Sequence, residues 1–273
     1  MTAQSRNIPA ELARYPNTGR FLMGRLRRSM DEDTKTTVEN LIDNSEWIDG
    51  GERLLTRGGV YEHSTILIEG FMLRTLDEGD NDIKGRRRCA VSFHVPGDFI
   101  DLHCFALKRL DHNLDTVGRV KVGYVPHDAL TSVMVDDPHL TRILWASSLL
   151  DAAMHREWIM KLEQLTTPKR LAHIFAEIGY RLELVGLGDE DGFDTDLRQN
   201  ALADMAGATP VHINRALKIL RTDGIADFRR GRIDIPDIPR LYAYASFTSD
   251  YLHAEGDFAL DNDFAMDDPT LSP

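Results

Sequence analysis

Residues 198–223 constrain the fold of this chain most. Leu202 and Met205 stand three apart, on one face of a short helix. Gly207 stops that helix, and Ala208-Thr209 complete a tight turn. Thr209-Pro210 opens a second helix as N-cap and first-turn proline. Its apolar stripe is Ile213, Leu217 and Leu220, with Ala216 beside them. Two helices joined by a glycine-containing turn make a helix-turn-helix. The first helix braces the second, and the N-terminal residues of the second can enter a major groove.

The opposite face of the second helix carries Val211, His212, Asn214, Arg215 and Lys218. Arg215 is suited to guanine O6 and N7, the commonest specific contact. Asn214 and His212 suit a base edge or a phosphate, and Val211 a thymine methyl. Lys218 and Arg221 suit phosphate. The plainer reading is a two-helix corner with a solvated basic face. The next residues favour the first reading. Ile225-Ala226-Asp227-Phe228 and Ile233-Asp234-Ile235 read as two short strands around Arg229-Arg230-Gly231-Arg232. A hairpin with three arginines at its tip is a wing, able to neutralise backbone phosphates. Like charges crowded there suggest an anion as their partner.

Upstream, the texture changes twice. From Glu46 to about Val135, β-like runs such as Thr65-Ile66-Leu67-Ile68, residues 89–95 and residues 120–125 alternate with turn signals at Gly50-Gly51, Gly58-Gly59, residues 78–81 and Pro96-Gly97-Asp98. Short strands at this spacing suggest a barrel or jelly roll. After Asp137-Pro138 the period becomes helical, with Leu140, Ile143, Leu150, Met154, Leu162 and Leu165 along one seam. A helix of this length with an apolar seam calls for a partner helix, or lies on its own barrel. Thr167-Pro168 then opens a further helix that buries Leu171, Ile174, Phe175, Ile178 and Leu182, and a Gly- and Asp-rich loop follows from Gly186. The first twenty residues read as a loose arm, and Arg25, Arg27 and Arg28 as a solvated face.

The net charge of −12 argues at first against a nucleic-acid partner. Its distribution removes the objection: residues 247–273 hold seven acids and no Lys or Arg. Two cysteines, Cys89 and Cys104, exclude a disulfide framework and fit a reducing cytoplasm. The N-terminus has no apolar signal segment, and no apolar run is long enough to span a membrane. No Walker loop, metalloprotease motif or nucleophile elbow occurs, so neither a catalytic residue nor a metal site is expected.

In this order of parts the chain resembles the CRP/FNR family of bacterial transcription regulators, over roughly residues 20–250. The most specific matches are the turn Pro96-Gly97-Asp98-Phe99-Ile100 and the run from Gly207 to Leu217. The resemblance implies an α+β fold with an N-terminal arm (1–20) and an antiparallel β-roll sensor (21–137). A dimerisation helix (138–165), a winged helix-turn-helix (166–246) and an acidic tail (247–273) follow. It implies a cytoplasmic homodimer on double-stranded DNA, with RNA polymerase as a partner. Arg215 falls where the family's base-reading arginine falls, and Val211 where many members carry a glutamate. Thr209, Pro210, His212, Asn214, Lys218, Arg221, Arg229, Arg230 and Arg232 complete the expected DNA contacts.

For the sensor, the resemblance points to an effector pocket at Gly97, Asp98, Asp101 and His103. Cyclic-AMP-binding members carry Gly-Glu-Leu and Arg-Ser or Arg-Thr where this chain has Asp101-Leu102-His103 and residues 111–116. Aspartates would repel the cyclic phosphate, so no cyclic nucleotide is expected. Two cysteines, neither before residue 89, cannot hold the iron–sulfur cluster of oxygen-sensing members. No cofactor is expected. The alternative is haem on His103, where carbon-monoxide-sensing members place an axial histidine, although Asp101 replaces their neighbouring cysteine. The effector stays unnamed. Regulation would turn the DNA-binding domains about a hinge near Thr166-Thr167. The tail, from Tyr251 on, either folds back on the wing or is a solubilising end. The rival reading is a ligand- or haem-based sensor that signals through protein contacts with weak or no DNA binding; the wing arginines argue against it.

Overall fold

The computed structural model describes residues 8–77, 88–107 and 109–254. The turn at residues 78–81 and the acids from Glu255 onward lie outside the described residues.

The N-terminal region is not a loose arm. Helix α1 (Ile8–Arg14) leads into a packed stretch in which Tyr15, Phe21, Leu22, Met23, Leu26 and Met30 are all buried. Apolar side chains at this density drive the stretch onto the roll. Arg27 turns inward, donating to the Thr18 carbonyl at 3.1 Å, and only Arg28 of the arginine cluster is exposed. Helix α2 (Glu32–Asn40) starts at Asp31, whose carboxylate accepts from Thr34 N at 2.7 Å.

Five strands follow: β1 (Asn44–Ile48), β2 (Arg53–Leu55), β3 (His63–Asp77), β4 (Arg88–His94) and β5 (Asn113–Pro126). They form one antiparallel sheet in the order β1-β5-β3-β4, with β2 also on β5. The long central strands β3 and β5 pair from His63↔Pro126 to Thr75↔Asn113, with irregular register between Leu67 and Phe71. Gly70 sits at that bulge with φ +82°, and a Cβ there would press on the Arg119 carbonyl. Such bulges let a long strand bend. The expected run Thr65-Ile66-Leu67-Ile68 is therefore part of one longer, bent strand.

Helix α3 (His127–Asp136) was not anticipated; it precedes α4 (Pro138–Gln164). Asp137 caps α4, accepting from Leu140 N at 2.8 Å, with Pro138 in the first turn. Leu140, Ile143, Leu144 and Leu150 of α4 pack with Phe21, Leu26, Ile66 and Val125. The expected seam thus faces the protein's own roll. A different stripe is exposed: Trp145, Leu149 and Ile159, at 63%, 51% and 66%.

The C-terminal half comprises α5 (Thr167–Leu184), β6 (Gly192–Asp194), α6 (Gln199–Ala206), α7 (Pro210–Thr222), β7 (Asp227–Arg229), β8 (Arg232–Asp234) and α8 (Ile238–Ala245). Its sheet runs β6-β8-β7, so the expected hairpin gains a third strand from the Gly- and Asp-rich loop. The N-cap of α5 is Thr166, one residue earlier than expected. Trp158 and Met154 of α4 join Phe93 and Val95 of the roll and Phe175, Ile178, Ile213 and Leu220 in one core. The two halves therefore share apolar packing. Phe247 and Leu252, assigned to the tail, are buried in this region.

Candidate DNA-binding surface and effector pocket

Helix α6 ends at Gly207, in the left-handed conformation (φ 58°, ψ 37°) that a glycine adopts without a Cβ clash. Thr209 caps α7: its hydroxyl accepts from His212 N at 3.4 Å and lies 3.0 Å from His212 Nδ1. Pro210 occupies the first turn. Ile213, Ala216, Leu217 and Leu220 are buried, which holds the other face outward. Val211, His212, Asn214, Arg215 and Lys218 are exposed along it. This is the face expected from the sequence. Ile219 adds a further exposed apolar side chain, 37% accessible.

A guanidinium holds the braced pair in place. Arg170 of α5 donates to the carbonyls of Lys161 (3.0 Å), Leu162 (2.6 Å) and Leu165 (2.9 Å), and to Ala206 O. It thereby satisfies orphan carbonyls at the end of α4 and joins them to the end of α6. The expected hinge at Thr166-Thr167 is spanned by this clamp. Sequence reading missed Arg170 because it bears no motif.

The wing departs from expectation. Arg230 and Gly231 both have positive φ (52° and 80°), as a two-residue hairpin requires. Arg230 thus stands at the tip, exposed. Arg232 has a structural task that the sequence did not reveal. It meets four carboxylates: Asp191 at 2.7 Å, Asp189 and Asp234 at 2.9 Å, and Asp194 at 3.4 Å. Those acids raise its pKa further and absorb its charge. Asp227 pairs with both Arg229 (2.5 Å) and Arg221 (2.7 Å). The three arginines expected at the tip thus differ: Arg230 and Arg229 are exposed, Arg229 is paired with Asp227, and Arg232 is anchored by its four aspartates.

The four residues expected to line an effector pocket are split: Gly97 and Asp98 line a small pocket with Arg25 and Arg181, His103 lines a separate cavity, and Asp101 lines neither. Gly97 lies against the Arg20 backbone with φ +97°. The partly buried Asp98 accepts from Val95 N at 3.0 Å and from Arg181 of α5. Asp101 is fully buried and accepts from Thr65 N and, at 3.2 Å, from Thr65 Oγ1. Burial raises its pKa to about 7, despite those hydrogen bonds. Only His103 lines the sizeable cavity, about 530 Å³, between the roll and α4. Arg74 crosses it, donating to Asp151 at 2.7 Å and Ile100 O at 2.7 Å. Burial and Arg74 lower the pKa of both His103 and His112, leaving neutral imidazoles. The cavity suits haem poorly: Arg57, Arg74, Asp111 and Asp151 charge its walls, and Asp101 turns away from it.

A buried ionic cluster at the junction was also missed. Glu177 of α5 accepts from Trp158 Nε1 (3.0 Å), Lys161 Nζ (3.2 Å) and Tyr251 OH (2.8 Å). Burial would raise its pKa, but Lys161, Arg181 and these donors outweigh that and hold it at about 2. Tyr251 is thus plugged into α5, away from the role given to the tail.

Among the described residues, no helix is long and apolar enough to cross a membrane. Residues 169–244 match the Crp-like helix-turn-helix domain. The chain is 31% identical to the transcriptional activator protein FnrL of Cereibacter sphaeroides over 208 residues, covering 73% of this chain and 79% of that one. In fold it is similar to FixK2 from Bradyrhizobium japonicum (TM-score 0.64, 19% identity), covering 75% of this chain and 98% of that one. It is also similar to the regulator CLP of Xanthomonas campestris (TM-score 0.58, 15% identity), covering 76% and 100%. An antiparallel sheet, a long helix and a braced α7, together with the likeness to FnrL across most of both chains, place this protein in the CRP/FNR family of transcription regulators.

Proposed function

We propose that this regulator binds a near-palindromic DNA site as a homodimer, with α7 of each copy in a major groove. The observation that carries the reading is α7: a capped helix whose buried stripe turns Val211, His212, Asn214, Arg215 and Lys218 together to solvent. Arg215 specifies, the neighbouring residues tune, and Lys218 with the wing tip Arg230 holds phosphate. The dimer reading rests on α4. Trp145, Leu149, Ala152, Arg156 and Ile159 follow the alternating four–three spacing of a two-helix seam. Water exposure of Trp145 and Leu149 is what a second copy would relieve. Half-sites one helical turn apart would then match the two-fold axis.

Cyclic AMP is a poor fit to the cavity, where Asp111 and Asp151 oppose a cyclic phosphate and Asp151 already engages Arg74. Selection of the purified chain against random duplexes, followed by salt titration, tests the reading. An enriched palindrome bound by wild type and relaxed in Arg215→Ala supports it. Arg215→Ala with unchanged affinity and preference sinks the docking; no enrichment at any salt favours signalling through protein contacts.

A further inference from the structure

We propose that the sensor half holds a divalent transition-metal ion on His103 and His112, supported by Asp111. The three side chains bring one ligand atom each within 4.8 Å of one another, at the edge of the cavity between the roll and α4. The two imidazole rings lie 4.9 Å apart. His103 Nε2 and His112 Nε2 are both buried, and neither has a hydrogen-bond partner among the described residues. A buried nitrogen lone pair without a donor is costly in a folded protein. Two such atoms on neighbouring rings offer lone pairs suited to a cation.

Asp111 completes the arrangement. Its carboxylate lies 2.6 Å from His112 Nδ1, which directs the proton to Nδ1 and leaves Nε2 as the donor to a metal. This carboxylate–imidazole pairing is the one that metal-bound histidines use to fix their tautomer and raise their basicity. A metal about 2.1 Å from each nitrogen needs donors about 3.4 Å apart. Small rotations of two side chains supply that approach, and the open cavity admits water to the remaining positions. Imidazole ligands favour zinc, iron(II), cobalt(II) or nickel(II) over magnesium or calcium.

The nearby Arg74 does not forbid the ion, because Asp151 and His155 face it at 2.7 and 3.1 Å. The Asp111 carboxylate meets His112 Nδ1, and its side chain is 72% exposed. The proposal is independent of the DNA-binding reading, since the ion's uptake is measured without DNA.

The test uses the full chain, stripped with a chelator and titrated with Co2+ alone. One equivalent should bind, with visible absorption bands of an imidazole-ligated site. His103→Ala and His112→Ala should each abolish the bands. Asp111→Asn, at an exposed side chain, should weaken binding about 10- to 100-fold while leaving the metal-free melting temperature unchanged. His139→Ala, at the start of α4 and away from the cavity, should bind as wild type. Absence of Co2+ uptake by the folded wild type, or unchanged uptake in His103→Ala and His112→Ala, overturns the proposal. If those two variants do not fold, the Asp111→Asn affinity decides it in the same two directions.

Discussion

Arg181, on the first helix of the DNA-binding half, donates to the Asp98 carboxylate in the Pro96-Gly97-Asp98 turn of the roll. The same guanidinium reaches Phe93 O at 2.6 Å and lies 3.9 Å from Glu177 Oε1. One side chain, 1% exposed, therefore ties β4, the following turn and α5 together. Asp98, read from the sequence as an effector contact, forms the roll's side of this joint. Burial opposes its charge, but Arg181, His94 and Arg25 hold its carboxyl well below the usual carboxylate range.

Removing one partner of a buried pair leaves the other charge uncompensated. Arg181→Met should destabilise the fold by about 3–5 kcal/mol, read as a lower midpoint in urea unfolding. A loss below about 1 kcal/mol would mean that water, rather than Arg181, solvates Asp98.

Glu177 gives the joint a pH signature. Its folded pKa, about 2, lies below the ordinary value of 4.5, so its charge adds stability above about pH 4.5. That contribution is lost as pH falls through the folded value. Glu177→Gln should be less stable than wild type at pH 7 by about 3 kcal/mol, with the gap narrowing from pH 4.5 towards pH 2. A gap independent of pH in thermal melts would assign the loss to packing.

The two stripes of α4 make opposite predictions. Trp145→Glu combined with Leu149→Glu should convert a dimer to a folded monomer in sedimentation, because it charges an exposed seam. Leu150→Ala, in the stripe buried against the roll, should cost about 2–5 kcal/mol of stability, read as a lower melting point, and leave association intact. A dimer that survives the double glutamate variant places the interface elsewhere.

On the wing, Arg230→Gln should weaken all DNA sequences alike and shallow the salt dependence by about one unit per subunit. Arg232→Gln should leave that slope unchanged, because four aspartates already hold its charge. Equal effects of the two substitutions on the slope would show that DNA draws Arg232 out of its cage.

Local signals made α7 legible from sequence. Its cap at Thr209, the stop at Gly207 and the stripe of Ile213, Leu217 and Leu220 all lie within one short stretch, and each acts through near neighbours. The strand pattern and the length of α4 were legible for the same reason. Periodicity could not say which of two apolar stripes on α4 the roll would cover, since Leu150 and Leu149 are equally apolar letters. Nor could it turn Arg27 inward or seat Tyr251 on Glu177.

The chain by itself thus determined the order of its elements and the solvent-facing row around Arg215, because these follow from interactions a few residues long. Tertiary structure alone decided the fate of the charges. Asp189 and Asp191 meet Arg232 across some forty residues, and Asp98 meets Arg181 across |i−j| = 83. Coulomb energy depends on separation in space and on burial, neither of which a spacing in sequence records.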